Sequence, residues 1–545
     1  MKLDSLAEKK LDTDCGFLKC HHSNLRNSIS DEKLQELSTL QSDEKRFSFV
    51  YKLPVVHEYE VKASSSGKNE TEAGQLKEEG NKAFQNGNYQ SAMQSYTKSI
   101  MKIPWAKDST RELAITVANR SATFYHLQKY QLALQDIDLV FSLDYPPELS
   151  YKVLDRLEAA YPCNQCTRVA FCSVACQSEA LATHHAVECP ILETLWSSGA
   201  SIICLMALRI LSQRGLKYFL DMRDILKKGC DVVNSSQKYH PTDYRTVYNL
   251  VGHSGMRTAL DFLLRTDTAI LLFRCLKVAG FFNMHPSESE QELMPDEVFV
   301  GALLLHHLQL LQFNAHEISE LQLEKPNKID SARSVFLGGG LFPTLALFNH
   351  SCDPGITRYF QGTTVIARAI KNIHCGEMIA ENYGPIFTQT PRAERQATLK
   401  SQYKFDCLCV PCNEDWPMFN NMNQGIMRFR CTGTEDGKIR KCNNVIIVPT
   451  DTSDFMIRCA VCKENTNILR GLKVLQDTDA MFHKATQLMD EGKVRQALDK
   501  YTEILGLLDS ILAPPFKDFH LCQQAIRHCM LSFGNKSVVS KKVTK

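Results

Sequence analysis

Thirteen of the 21 cysteines in this 545-residue chain fall into three groups. They are Cys163, Cys166, Cys172, Cys176 and Cys189; Cys352, Cys407, Cys409 and Cys412; and Cys431, Cys442, Cys459 and Cys462. In a reducing compartment such groups are metal ligands before they are disulfides. The polar opening MKLDSLAEKKLD lacks the apolar stretch of a signal peptide, and no apolar run reaches the length of a bilayer. We therefore expect a cytoplasmic and nuclear zinc protein with no membrane partner. Its length predicts several domains, each burying its own core. Lys and Arg (63) nearly balance Asp and Glu (61), which leaves no broad positive field for nucleic acid.

Residues 1–70 are polar apart from one β-like run, Phe47 to Val56, and read as a flexible extension. From Thr71 the pattern becomes helical. LKEEGNKAFQNGNYQSAMQSYTKSI places Gly80, Tyr89, Ala92 and Tyr96 at helix-pair spacing. VANRSATFYHLQKYQLALQDIDLVF repeats the texture with Ala133, and LSYKVLDRLEAAY opens a third unit. Residues 71–160 thus resemble tetratricopeptide (TPR) repeats; a generic array of helical hairpins is the plainer alternative. In such repeats a two-carboxylate clamp for chaperone C-terminal peptides uses Lys and Asn, then Asn, then Lys-x-x-x-Arg. The resemblance puts these on Lys77, Asn81, Asn119, Lys152 and Arg156. Residues four apart share a helix face, so Lys152 and Arg156 can both meet one carboxylate. The competing reading is a solvated basic face.

The first cysteine group runs Cys163-x2-Cys166, Cys172-x3-Cys176, His185-x3-Cys189. Two close pairs supply the four donors tetrahedral zinc needs. Residues 161–190 resemble the second part of a MYND finger, a two-zinc module with interleaved ligands. The resemblance assigns Cys163, Cys166, His185 and Cys189 to one complete site. Cys172 and Cys176 would belong to a second, whose other pair is missing because no Cys-x2-Cys precedes Cys163. His184 is a neighbouring alternative to His185, with poorer spacing.

Residues 191–330 carry helical periodicity, as in MRTALDFLLRTDTAILLFRCL and GALLLHHLQLLQFNAHEI, and their apolar faces read as core. Then short β-runs and turns take over: NHSCDP, later NYG, then Phe-x-Cys-x-Cys-x2-Cys. Together these resemble the C-terminal half of a SET domain (331–400) with its post-SET zinc motif (401–415). SET joined to MYND and TPR elements is similar to the SET-and-MYND-domain protein-lysine methyltransferases, here a shortened form with N-terminal repeats.

That resemblance implies transfer of a methyl group from S-adenosyl-L-methionine to a lysine of a protein substrate. Tyr383 would be the catalytic tyrosine beside the transferring methyl. Asn349 and His350 would bind the cofactor through their backbone, Phe405 would stack on its adenine, and Asn314 and His253 would contact it. For the last two, a satisfied loop polar residue is an equal alternative. Cys352, Cys407, Cys409 and Cys412 would hold the post-SET zinc, while Cys375 fits no pattern and reads as a buried thiol.

Two features depart from the family. No Gly-x-Gly cofactor loop precedes Cys163, and Gly355 stands where members usually carry Asn. One internal deletion would explain both the missing loop and the half finger. Residues 416–470 contain Cys431, Cys442, Cys459 and Cys462, a second zinc module or else reduced free thiols. Residues 471–534 return to TPR-like texture with Gly492, Ala497 and Tyr501, and 535–545 form a basic tail. The expected fold is α+β and multi-domain: TPR array, MYND-type finger, partial SET β-fold with post-SET zinc site, and C-terminal TPR-like lobe. The function is either methyl transfer or a catalytically deficient adaptor binding chaperone C-termini or other proteins.

Overall fold

A computed structural model describes residues 16–63, 67–104, 110–127, scattered positions from 129 to 143, 161–171, 173–228, 239–282, 292–323, 332–422, 425–433, 442 and 444–538. The chain divides into two compact units, one reaching Asn314 and the other starting at Ala315.

The first unit is helical. Helices α1 (Phe17–Ser28), α2 (Asp31–Thr39) and α3 (Asp43–Tyr51) lead to a 3-10 turn at Pro54–His57. This corrects the expectation of a flexible extension, and the β-like run from Phe47 is helix instead. Ser30 and Ser42 cap α2 and α3 by accepting from the amides of Lys33 and Lys45, each satisfying an orphan donor of the first turn. The three helices bury Leu25, Leu37, Phe47 and Val50. Such short helices are marginal alone and persist by packing an apolar face.

The next helices are α4 (Glu70–Gln85), α5 (Tyr89–Lys102) and α6 (Thr110–His126). In the α4–α5 hairpin, Gly80 sits where a Cβ would meet the Tyr96 ring at 2.6 Å, so these helices approach closely. After the β1 (Tyr161–Pro162) and β2 (Ala170–Phe171) hairpin come α7 (Val174–Ala182), α8 (His184–Glu188), α9 (Leu192–Ser198), α10 (Ile202–Ser212), α11 (Gly215–Lys227) and α12 (Tyr244–Tyr248). Helices α13 (Ala259–Val278) and α14 (Pro295–Asn314) form the core. They bury Leu271, Leu272, Leu304, Leu305 and Leu311 on several faces. No helix among the described residues is long and apolar enough to cross a membrane.

The second unit opens with the antiparallel pair β3 (Ala315–Leu323) and β4 (Arg333–Leu341), with a bulge between Ile318 and Ser319. Short parallel strands β5 (Asn349–His350) and β8 (Ala380–Glu381) flank the hairpin of β6 (Ile356–Gln361) and β7 (Thr364–Ala369). Helices α15 (Arg392–Tyr403) and α16 (Val410–Asn413) follow. Hairpins β9 (Ile426–Arg430) with β10 (Val445–Pro449) and β11 (Met456–Arg458) with β12 (Asn465–Asn467) lead to α17 (Leu469–Asp490), α18 (Val494–Ile511) and α19 (Lys517–Leu531). Strand β13 (Lys536–Val538) returns parallel to β3. Gly355 is buried and bonded on both sides, its amide to Ala380 O at 2.9 Å and its carbonyl to the Ile370 amide at 2.9 Å. A Cβ there would lie 3.1 Å from Ile373 Cδ1, so a larger residue requires Ile373 to yield.

Candidate metal centres and active site

The first unit gathers Cys163, Cys166, His185 and Cys189, with all four ligand atoms within 4.8 Å of one another. Cys163 and Cys189 sulfurs lie 3.7 Å apart, and His185 Nε2 stands 3.2 Å from Cys163 Sγ and 3.7 Å from Cys166 Sγ. Zinc with bonds of about 2.3 Å to sulfur spans a tetrahedral edge of about 3.8 Å, so the donors fit it. Beside the last ligand, buried Glu188 receives Arg209 Nε at 2.9 Å and Ser212 Oγ at 3.1 Å, anchoring α8 to α10. His184 instead meets Thr183 Oγ1 at 3.2 Å, which selects His185 as the ligand. Cys176 lies on α7, its amide capped by Ser173 Oγ, and joins none of the clusters found among the described residues. Cys172 lies outside the described residues.

In the second unit, Cys352, Cys407, Cys409 and Cys412 converge in the same way, with Cys352 and Cys412 sulfurs 3.6 Å apart. Gln396 of α15 grips the Cys407 backbone twice, accepting from its amide at 2.9 Å and donating to its carbonyl at 2.7 Å. Cys431, Cys442, Cys459 and Cys462 form a third cluster. Cys375 is exposed rather than buried. It sits on a tight turn closed by Glu377 N to His374 O at 3.0 Å, with Gly376 at φ 91, and the reversal leaves the thiol at the surface.

The cluster at Cys352 leads into an aromatic site. His350 Nδ1 accepts from the Tyr383 amide at 3.0 Å, which leaves Nε2 to carry the proton toward Cys352 Sγ at 3.4 Å. Burial pushes the His350 pKa down to about 4, so the ring is neutral at physiological pH. The Tyr383 hydroxyl donates to Phe348 O at 2.6 Å, and Tyr403 donates to Tyr383 O at 3.0 Å. Burial, then the Glu381 carboxylate, raises the Tyr383 pKa to about 12, so the phenol stays protonated. Phe405 is half-buried with its ring centroid 6.0 Å from that of His350, while Asn349 is exposed and donates to Met378 Sδ at 3.4 Å. Asn382 holds the turn by donating to Ser351 O at 3.1 Å and Pro385 O at 2.8 Å. Gly384 has φ 147, a backbone that side chains disfavour, so the glycine of NYG is structural.

Sequence reasoning missed Tyr403, Asn382 and buried Arg395. Only their place beside NYG or the cysteine motif could have marked them. In the first unit, Asn314 Nδ2 donates to Val251 O at 2.8 Å and Leu310 O at 2.7 Å. His253 adopts φ 49 with its ring 4.8 Å from that of Phe313. Of the clamp residues, Asn119 Nδ2 donates to Asn81 Oδ1 at 3.1 Å, Tyr96 donates to the same oxygen at 2.9 Å, and Lys77 pairs with Glu112. Lys152 and Arg156 lie outside the described residues.

These centres define a zinc-binding protein with a MYND-type finger, and residues 154–189 match the MYND finger family. The chain is 29% identical over 405 residues to protein-lysine N-methyltransferase SMYD4 of Homo sapiens, which covers 64% of this chain and 48% of that protein. It is 26% identical over 430 residues to the protein of the same name in Mus musculus, covering 71% and 52%. A shorter match, 39% over 85 residues, joins it to N-lysine methyltransferase SMYD2-B of Xenopus laevis, covering 16% and 19%. These matches make the chain similar to the SMYD family. It spans about half the length of the SMYD4 relatives named here.

Proposed function

We propose that the chain is a protein-lysine N-methyltransferase that takes its methyl group from S-adenosyl-L-methionine. The observation that carries the reading is Tyr383, a protonated phenol fixed by Phe348 O beside half-buried Tyr403 and Phe405 and buried His350. The named relatives being lysine methyltransferases supports it. A neutral His350 and un-ionised tyrosines place no positive charge against a sulfonium, so these residues fit that cofactor. When bound, it supplies an electrophilic methyl that passes in line to nitrogen, the carbon–sulfur bond breaking as the nitrogen–carbon bond forms.

Phe405 would face the adenine, and the backbone of Asn349 and His350 would hold the rest. The attacking lysine must be neutral, which costs about 4.6 kcal/mol at pH 7. Tyr383 would orient the amine by accepting from it, since its own proton is committed to Phe348 O. The finger and the Cys352 cluster would act as structural zinc centres. In this reading the chain works in a reducing compartment, cytoplasm and nucleus, where clustered cysteines serve as metal ligands.

Calorimetric titration with S-adenosyl-L-methionine, followed by transfer of a labelled methyl to protein lysines, tests this. Tyr383→Phe should abolish transfer and leave zinc content unchanged. Undiminished transfer in that variant would reject the role of Tyr383. A chain that binds no cofactor would leave the adaptor reading, which rests on the juxtaposition of Lys77, Asn81 and Asn119. In that reading the groove takes an acidic C-terminal peptide of a chaperone.

A further inference from the structure

We infer that Cys431, Cys442, Cys459 and Cys462 form an additional structural zinc site that joins two strand hairpins into a platform for the C-terminal helices. Cys431 follows β9 and Cys442 precedes β10, so both stand at the loop end of one hairpin. Cys459 follows β11 and Cys462 precedes β12, at the loop end of the other. Each hairpin thus contributes two sulfurs, and all four lie within 4.8 Å of one another.

The spacing is that of a metal site. Cys431 and Cys462 sulfurs are 3.5 Å apart, and those of Cys442 and Cys459 3.8 Å. A tetrahedron of zinc–sulfur bonds of about 2.3 Å has edges of about 3.8 Å, whereas a disulfide closes to about 2.05 Å. Donors also converge on the sulfurs. The Gly433 amide points at Cys431 Sγ (3.3 Å) and the Val461 amide at Cys459 Sγ (3.4 Å), each two residues beyond its cysteine. Asn444 Nδ2 reaches Cys459 Sγ at 3.2 Å. The finger shows the same arrangement, with the Gln165 amide 3.4 Å from Cys163 Sγ. Amides aimed at sulfur favour the thiolate, the form that binds metal.

The backbone is shaped around the cluster. A Cβ at Gly433 would lie 2.6 Å from Cys462 Sγ and 2.7 Å from Glu464 Cβ, so only glycine admits the second knuckle. Lys463 is held at φ 65 while the turn closes through Cys459 N to Glu464 O at 2.8 Å. A left-handed lysine is disfavoured, and a two-stranded hairpin is marginal by itself. A metal bridging the two hairpins supplies what each lacks. The joined hairpins then seat the helices: Phe429 of β9 is fully buried against Gly471 of α17, and Arg430 pairs with Asp509 of α18 at 2.6 Å.

The test is metal analysis and thiol footprinting of the full chain loaded with zinc. The Cys459→Ser, Cys462→Ser double variant should hold one zinc fewer per chain than the parent. In the parent, Cys431, Cys442, Cys459 and Cys462 should resist alkylation until a chelator is added, while exposed Cys20 and Cys375 react at once. Cobalt in place of zinc should give the thiolate charge-transfer absorption, weakened in the double variant. Alkylation of the four thiols in the zinc-loaded parent as fast as Cys375 would overturn the site, and that measurement stands even if the variant does not fold. Equal zinc content in parent and folded variant would overturn it too.

Discussion

The guanidinium of Arg395 donates to the sulfur of Cys412 across 3.6 Å, with no part of its side chain open to solvent. Its other arm donates to Thr390 O at 2.7 Å. No carboxylate among the described residues pairs with it, and a buried unpaired cation costs several kcal/mol. Four thiolates around one zinc carry two net negative charges and supply the missing anion. Arg395→Gln should therefore weaken zinc retention at Cys352, Cys407, Cys409 and Cys412 by about 10–100-fold. Arg395→Lys, which keeps the charge without the fork, should fall between. Competition with a chromophoric chelator measures both, and equal retention in parent and Gln variant would reject the coupling.

The clusters at Cys163 and Cys459 were legible because ligand spacing is a short-range signal, written in the intervals around those residues, whereas Cys352, remote in sequence from Cys407, joined its cluster only through the resemblance. Arg395 was not legible, since on α15 it reads like Arg392 or Lys400. The N-terminal helices were missed because each is short and mostly polar. Their apolar positions, Leu25, Leu37, Phe47 and Val50, acquire meaning only against α13 and α14, over two hundred residues away. The signal that could have revealed them is local: Ser-Asp-Glu-Lys occurs at both 30–33 and 42–45, a cap followed by an acidic first turn. Tertiary distance hid the docking, not the helices.

That docking makes Gly301 critical. On α14 it faces Phe47 of α3, and an added Cβ would overlap the ring. Alanine gains about 1 kcal/mol in helix propensity over glycine, but overpacking costs about 1–3 kcal/mol. Gly301→Ala should lower the thermal midpoint, and adding Phe47→Leu should recover part of the loss. A Gly301→Ala chain as stable as the parent would show that α3 is not held there.

Asp267 ties the same layer down. Its carboxylate is fully buried on α13, with His21 Nε2 at 3.1 Å and His22 Nε2 at 3.3 Å. Burial alone would raise its pKa, but the two histidines outweigh burial and hold it below the ordinary value. A carboxyl with a depressed folded pKa adds stability that is fully present above about pH 4 and lost as pH falls through the lowered value. Asp267→Asn should cost about 1–3 kcal/mol at neutral pH and speed proteolysis near α1. It should also flatten the decline of stability below pH 4. An unchanged acid profile would reject the assignment.

The last expectation concerns Glu112. It occupies the ammonium of Lys77, while Asn81 Oδ1 already accepts from Asn119 and Tyr96. If the groove takes a peptide carboxylate, that carboxylate must displace Glu112 from Lys77. Both partners are partly exposed, so the intramolecular pair contributes only about 0–1 kcal/mol and can be exchanged. Glu112→Gln should therefore strengthen binding of a free-acid peptide ending in an acidic residue. Lys77→Ala should weaken it by about tenfold or more, from loss of one charge-assisted contact of about 1.5–3 kcal/mol. Added salt should weaken binding in the parent, because exposed charges are screened over about 10 Å at 0.1 M. Fluorescence anisotropy with matched free-acid and amidated peptides reads all three effects. Equal affinity for the two peptides, or no gain in Glu112→Gln, would show that Lys77, Asn81 and Asn119 serve only the packing of α4 against α6.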